Sequence, residues 1–496
     1  MVREEVKERL REVRRRAGYY RSLGADPMSL AAGCSVKVDL IRVVYPAMKV
    51  LRPSLSGLGV EVAEREDADT FVGDPGQLEF ARVLMPLGRE SSPQVKMSRP
   101  ARAAVMIQVY QLSADSPEKF ASALEPAYRS LAKCAPRLRI GKGHSIVTPF
   151  RDDEFMLADL ISAGEGELTI AFNNDTMHII DPTGDPLDPR QVSGALANAL
   201  NDLFVIGVHR GLKVAPVLNA PAQELREGLE RNARLLASQV GAEVLDVPGP
   251  GKGRLLMGAT VIGYSDRRPP QFHDRVRPGM KVIATRPFGE LAPITTYLTA
   301  AIDESVVDEL EAEGISFEEL ERLKEEAVDV ISRPNVEAAE VIERYLPYVN
   351  EDYDPDEHIA ATTDVTGPGI YVVKELAQLS NSVIELTDFP LMFPDVSRFA
   401  TSHFIMPNAT AGTNGGFIIV APEQVADDIV RDLRSRGLRP SIIGEVKGRG
   451  RAAVRAPPYI SQYIYDESIL SELGVSDGGP GVQEDKGDGG GPGGGL

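Results

Sequence analysis

The chain contains no tryptophan and, in 496 residues, only two cysteines, Cys34 and Cys134. Two cysteines cannot build a disulfide framework, and the absence of a C-x-x-C pair leaves no thiolate zinc site. A reduced cytoplasm is the expected compartment. The six histidines are scattered without metal-ligand spacing. No apolar run approaches the roughly 18 residues of a membrane span, and the opening MVREEVKERLREVRRRAGYYR reads as a charged helix without the apolar centre of a secretory signal. Cationic residues are outnumbered: 54 Lys and Arg against 73 Asp and Glu give a formal charge of -19. That balance argues against nucleic acid and anionic membranes as partners, since both need clustered Lys and Arg. A nucleotide is still allowed, because a small site can be locally positive or use a metal to offset phosphate charge.

What remains is an ordinary globular composition, with 43% hydrophobic and 26% charged residues, and enough length for two or three domains. Residues 1–37 read as a helix to about Arg21 followed by a segment holding Cys34. The stretch 38–150 precedes the first main unit, and its first part, 38–100, does not divide clearly into elements. Within it EREDADTFVGDPG reads as a polar turn, RAAVMIQVYQL as a strand and SPEKFASALEPAYRSLAKCA as a helix. The first main unit, 151–270, opens with strands GELTIAFNND and TMHIID flanking an Asp. A helix follows from Pro189 to about Phe204, then the helix AQELREGLERNARLLASQVG and strands EVLDV and RLLMGATVIGY. SDRRPPQFHDRVRPG at 265–279 reads as a linker. The second unit, 277–475, begins with MKVIATRPFG and carries acidic helices over 304–345, read as solvated faces. Strands GFIIVAP and SIIGEV flank the helix EQVADDIVRDLRSRG, and the Gly-rich tail 476–496 is expected to be disordered. Alternating strands and helices in two halves predict an α/β protein with mixed sheets.

The chemistry concentrates in a few places. QVSGALANALNDLFVIGV is apolar around most of a helix, yet Asn198, Asn201 and Asp202 share one stripe of it. A buried Asp there needs a partner, whether a cap, a salt bridge or a metal. Asp175 lies after TIAF, Asp364 ends EHIAATTD before a Gly-containing turn, and Asp153 stands in RDDEF. Each alone fits a turn; together, at strand ends, they suit magnesium, which takes oxygen ligands and bridges to phosphates. In AAGCSVK, Lys37 stands three residues after Cys34. An ammonium so placed favours a reactive thiolate, whereas a packed cysteine beside an unrelated surface lysine is the plainer alternative. Cys134, beside Lys133 on a helix, reads as packing.

The ordered words AGCSVK, RDDEF, NNDTMHIID, ANALNDLFVIGV, MKVIATRPFG, TTDVTGPG, TNGGFIIVAP and SIIGEV resemble selenophosphate synthetase, of the aminoimidazole ribonucleotide synthetase superfamily. The resemblance covers about 151–455 and the short piece 31–37, and it implies that 38–150, far longer than the family's connection there, is an inserted region and a candidate small α/β domain. It implies a two-domain fold of that type, a homodimer, and ATP held between the domains by magnesium. The aspartates matching the family's metal ligands are Asp153, Asp175, Asp202 and Asp364. Cys34 and Lys37 match its catalytic pair, and Lys37, Asn198, Thr363 and Thr366 fall at nucleotide-binding positions. The family turns ATP, selenide and water into selenophosphate, AMP and phosphate. This chain departs from the family pattern in having Asn173-Asn174-Asp175-Thr176-Met177 for T-T-D-F-F and Thr413-Asn414-Gly415-Gly416 for T-S-G-G, and DVPGPGKG lacks the family's loop histidine. Selenide and sulfide both stay open as the acceptor. So do another ATP-dependent kinase or synthetase of the superfamily and a non-catalytic ATP-binding regulator.

Overall fold

In the computed structural model, the described residues are 3–25, 167–177, 179–245, 253–367, 369–403 and 405–464. Between these lie the strands 69–72, 139–140 and 146–151 and the isolated positions 27, 50, 51, 53 and 57. Helix α1 (Glu4–Ser22) buries Val6, Leu10, Val13, Ala17 and Tyr20, a spacing of three and four that makes a single apolar stripe. Strands β1 (Asp69–Val72), β2 (Arg139–Ile140), β3 (Ile146–Arg151) and β4 (Glu167–Met177) follow. Next come α2 (Pro189–Phe204), β5 (Arg210–Pro216), α3 (Gln223–Gln239), β6 (Glu243–Val244) and β7 (Met257–Ser265). These build a six-stranded sheet, β2-β3-β4-β7-β5-β6, antiparallel except for the pair β5 and β6.

The second half contains β8 (Lys281–Ala284), α4 (Leu291–Ile302), α5 (Ser305–Ala312), α6 (Phe317–Ile331), α7 (Val336–Arg344) and β9 (Ala361–Asp364). It continues with α8 (Val372–Ser380), β10 (Ser382–Leu386), α9 (Pro394–Ser402), β11 (Phe417–Ala421), α10 (Glu423–Ser435), β12 (Ser441–Arg449) and β13 (Ala453–Ala456). The second sheet is seven-stranded, β1-β13-β10-β12-β8-β11-β9, with β13 parallel to both of its neighbours. Mixed α/β is therefore the observed class. The described strands from 38–150 are built into the edges of both sheets.

Burial explains the sequence patterns. Ile283, Phe417, Ile419 and Ala421 face one core, which continues through α7 and α10 to α2, α3 and the first sheet. Val282, Ala284, Ile418 and Val420 face another core with α8. Strands covered on both faces read as unbroken apolar runs, as VIA and FIIVA do. A third core joins α1 to α4, α5, α6 and α9.

Three local expectations change. Asp175 lies inside one strand rather than between two: β7 pairs with β4 from Thr169 to Met177, and residues 179–181 of the expected second strand lie outside any strand. The polar turn at EREDADTFVGDPG contains β1, whose Thr70-Phe71-Val72 run has the β-branched and aromatic character that a parallel edge strand accepts. The linker at 265–279 is packed: Phe272 and Val276 are buried, and Arg267 donates to the Leu346 carbonyl at 2.9 Å.

A buried ionic latch ties α1 and the first half to the second. Lys324, on α6, donates to Asp181 at 3.1 Å and to Glu325 at 2.5 Å. Gln191 donates to the Tyr20 hydroxyl at 2.8 Å and to the Asp181 carbonyl at 2.6 Å, while its own oxygen accepts from the Ile180 and Asp181 amides. Burial disfavours the Lys324 ammonium, but Asp181 and Glu325 outweigh it and hold its pKa above the ordinary value.

Candidate functional site

Helix α2 starts where Asp188 accepts a hydrogen bond from the Arg190 amide at 2.9 Å and Pro189 takes the first turn. Its apolar surface fixes its position over β4 and β7, so its polar stripe is carried into the interior. There the two elements exchange side chains. Asn173 of β4 donates to the Ala199 carbonyl at 3.1 Å and to Asp202 Oδ2 at 2.7 Å. In the opposite direction, Asn198 of α2 donates to Asp175 Oδ2 at 2.6 Å, while Asp175 Oδ1 accepts from the Thr176 amide at 2.7 Å. Two half-buried carboxylates thus lie on adjacent elements, each held by a carboxamide of the other element. Strand alternation explains the choice of residues: Asn173 and Asp175 face the helix, whereas exposed Asn174 points away and donates to Thr260 at 2.6 Å.

The second half brings its own loops to the end of α2. Thr362 of β9 donates to the Val205 carbonyl at 2.5 Å. Asp364, at the end of β9, is the register partner of Phe417, and the Val365 amide donates to the Gly416 carbonyl at 2.8 Å. Thr363 and Thr366 are buried beside it, and the Thr366 carbonyl accepts from Thr410 at 2.9 Å. Two glycines permit this approach of loops. A Cβ at Gly415 would lie 1.9 Å from the Val365 oxygen, and one at Gly369, whose φ is +58°, would lie 1.9 Å from the Asn408 oxygen.

Asp175, Asp202 and Asn198 are therefore brought together on the first sheet, and Thr363, Asp364 and Thr366 share the rim of the second. Among the described residues, no group of three or more His, Cys, Asp and Glu side chains is arranged to hold a metal ion. Cys34, Lys37 and Asp153 lie outside the described residues. Asn173 was visible in the sequence only as a departure from a motif, and its bond to Asp202 needs the strand register to be seen. Lys324 did leave a signal: it shares the stripe Phe317, Leu320, Ala327, Val328 and Ile331, all buried, within a helix read as solvated.

Charge at the periphery of this region is well compensated. Burial pushes the Glu343 carboxyl up, but His209 at 2.7 Å and Arg210 at 2.5 Å outweigh it and hold it below the usual carboxylate range.

Residues 299–457 match the family described as AIR synthase related protein, C-terminal domain. None of the curated proteins matches the sequence. Among solved structures, thiamine-monophosphate kinase from Stenotrophomonas maltophilia K279a is similar at 16% identity and a TM-score of 0.41, over 63% of this chain and 98% of that one. The hydrogenase maturation protein HypE of E. coli is similar at 17% identity and a TM-score of 0.41, over 60% and 85%. A HypE structure in complex with ATP is similar at 21% identity and a TM-score of 0.39, over 62% and 88%.

Proposed function

We propose that the chain is an ATP- and magnesium-dependent phosphotransferase whose acceptor is selenide or sulfide. The observation that carries this reading is the crossed pairing of Asp175 with Asn198 and of Asp202 with Asn173. The amides orient two carboxylates without neutralising them. Magnesium is commonly held by one or two carboxylates with substrate phosphates completing its shell, so this oxygen donor set fits it. The match over 299–457 supports the reading, since it includes TTDVTGPG and TNGG. In the full site Asp153 and Asp364 would join the metal ligands, with Asn198, Thr363 and Thr366 beside the nucleotide. Lys37 would meet the phosphates as a point charge, and Cys34 would handle the chalcogen. Bound magnesium offsets phosphate charge; the overall conversion is ATP, chalcogenide and water to chalcogen-phosphate, AMP and phosphate.

A homodimer belongs to the same proposal. The face of the first sheet opposite α2 carries Phe172, Ile262 and Tyr264, all only partly buried within one chain. A second copy laid on that face would cover them. A reducing cytoplasm suits a thiolate and a chalcogenide alike.

A second reading, another ATP-dependent kinase or synthetase of this superfamily, draws on Asn173-Asn174-Asp175-Thr176-Met177 standing where the family has T-T-D-F-F. Phosphorus NMR of products from magnesium and ATP with selenide, sulfide or neither separates the two. A new chalcogen-phosphate resonance supports the first reading. ATP consumption without one moves the assignment to another acceptor, and binding without consumption leaves a regulator.

A further inference from the structure

Between the two aspartate-bearing platforms lies a buried polar cluster that the phosphotransfer reading leaves unused. Arg286 follows β8, Glu290 precedes α4, Asn335 precedes α7, Asn414 lies in the T-N-G-G loop, and Asn201 sits on α2. Their exposures are 8, 0, 4, 0 and 1%, so none is a solvated surface group. Arg286 donates to Glu290 at 3.0 Å, to the Asn335 side-chain oxygen at 2.9 Å and to the Asn414 carbonyl. With its oxygen fixed in this way, Asn335 turns its amide toward Asn201 Oδ1 at 2.6 Å, the Gly415 carbonyl at 2.8 Å and Asn414 Oδ1 at 3.2 Å. Asn414 in turn donates to the Ile331 and Arg333 carbonyls at 3.0 and 2.6 Å.

The position of the cluster matters more than its strength. Asn201 immediately precedes Asp202 on α2. Gly415 leads through Gly416 into Phe417, the register partner of Asp364. One carboxamide is therefore bonded to both platforms. Stability alone does not account for the arrangement. Asn201 Nδ2 and Glu290 Oε2 have no protein partner among the described residues, and such open valences are unfavourable in an interior. Apolar residues of the same volume often replace a buried ionic cluster without loss of stability.

We infer that Asn335, clamped by Arg286, is a positioning residue that sets the Asp202-bearing helix in register with the Asp364-bearing strand end. This deepens the phosphotransferase reading and rests on it. The test is calorimetric titration of the full chain with magnesium and a non-hydrolysable ATP analogue. Asn335→Ala and Asn201→Ala should each weaken binding about tenfold, and the double variant should be no weaker than either, as expected of groups in one network. Leu433→Ala, a buried truncation on α10 that removes no bond of the cluster, should lose stability but keep the wild-type affinity. If Asn335→Ala does not fold, Asn201→Ala carries the test by itself. Unchanged affinity in the folded asparagine variants overturns the inference and leaves the phosphotransferase reading standing. An equal loss in Leu433→Ala also overturns it, by tracing the effect to general loosening. A wild-type chain that binds no analogue removes both.

Discussion

Two of the buried polar junctions between the halves of the molecule differ in what carries most of their bonds. In the latch, formal charges face each other. Lys324 meets Asp181, while Asp181 Oδ1 also accepts from the Thr183 amide at 2.8 Å and its hydroxyl at 2.6 Å. In the other junction three asparagines carry most of the bonds around one ion pair, Arg286 with Glu290, and two buried polar atoms have no protein partner among the described residues. A saturated ionic contact is strongly destabilised when one partner is removed, so it acts as a fastener. A carboxamide contributes less, about 0.5–1.5 kcal/mol per bond, but it is directional, which suits alignment. Fastening is assigned to the side where α1 crosses, and alignment to the side where the candidate carboxylates stand.

The largest effect should come from breaking the fastener on one side only. Lys324→Met leaves Asp181 buried and charged, and should cost about 3–5 kcal/mol in urea unfolding. Adding Asp181→Leu should restore most of that loss, because neither member is then an uncompensated ion. A single variant that unfolds like wild type would show that the latch is ornamental and erase the contrast between the junctions. Next in size is Asp202→Asn. Its shape and its acceptor oxygen for Asn173 persist, so the fold should survive, whereas magnesium-dependent affinity for ATP should fall about a hundredfold, roughly 2.7 kcal/mol. Calorimetry with and without magnesium reads this, and an unchanged affinity would return Asp202 to a packing role.

How far such features could be read from the sequence depends on the range of the interaction behind them. Helix α2 is bounded at Pro189 and Phe204 by local signals, an Asp cap, a proline and an apolar surface, and those bounds are the observed ones. The apolar strands β8 and β11 were equally plain. Asp175 was legible as a carboxylate near a cleft, but not its position inside a strand, because a strand's length is set by its partner and β7 lies more than 80 residues on. Asn173, Asn335 and Asn414 are ordinary polar letters until tertiary contacts remove them from water. The signal of Lys324, its place in the apolar stripe of α6, is outweighed by five glutamates that make the whole helix read as solvated.

A third prediction sharpens the contrast through pH. Burial pushes the Tyr20 phenol well above its ordinary value, with Asp181 adding to it. Lys324 is also raised, its carboxylate partners overcoming burial. Both groups hold their protons more tightly when folded. Their contribution is complete below the unfolded values, about 10 and 10.4, and is lost as pH climbs through the folded ones. Stability should therefore fall above about pH 10, and Tyr20→Phe should flatten that fall. Urea midpoints from pH 8 to 11 in the two proteins make the check. The amide junction, being mainly carboxamide, should leave no such mark: Asn335→Ala should shift the curve without altering its slope. An alkaline fall that survives Tyr20→Phe unchanged would move its cause elsewhere.

The smallest effect is expected where charge is most abundant. Arg9 of α1 bonds Glu321 of α6 at 3.0 Å, with side-chain exposures of 46% and 36%. The pair spans the same interface as the latch, so a count of ion pairs would rank the two alike. Solvent decides otherwise. At this exposure water screens the attraction, and holding two long side chains in one geometry offsets what is left, so such pairs are worth about 0.2–1 kcal/mol. What holds α1 down is its buried stripe, where each fully covered aliphatic or aromatic side chain contributes about 1.5–3 kcal/mol. Arg9→Ala should therefore change the urea midpoint barely, and 0.5 M salt should remove even that difference, because the screening length falls well below 10 Å. Leu10→Ala, one residue along and fully buried, should cost about 2–5 kcal/mol. If Arg9→Ala instead matched Leu10→Ala in low salt, α1 would be held by its charges, and the latch would be one member of an ionic network rather than a separate buried fastener.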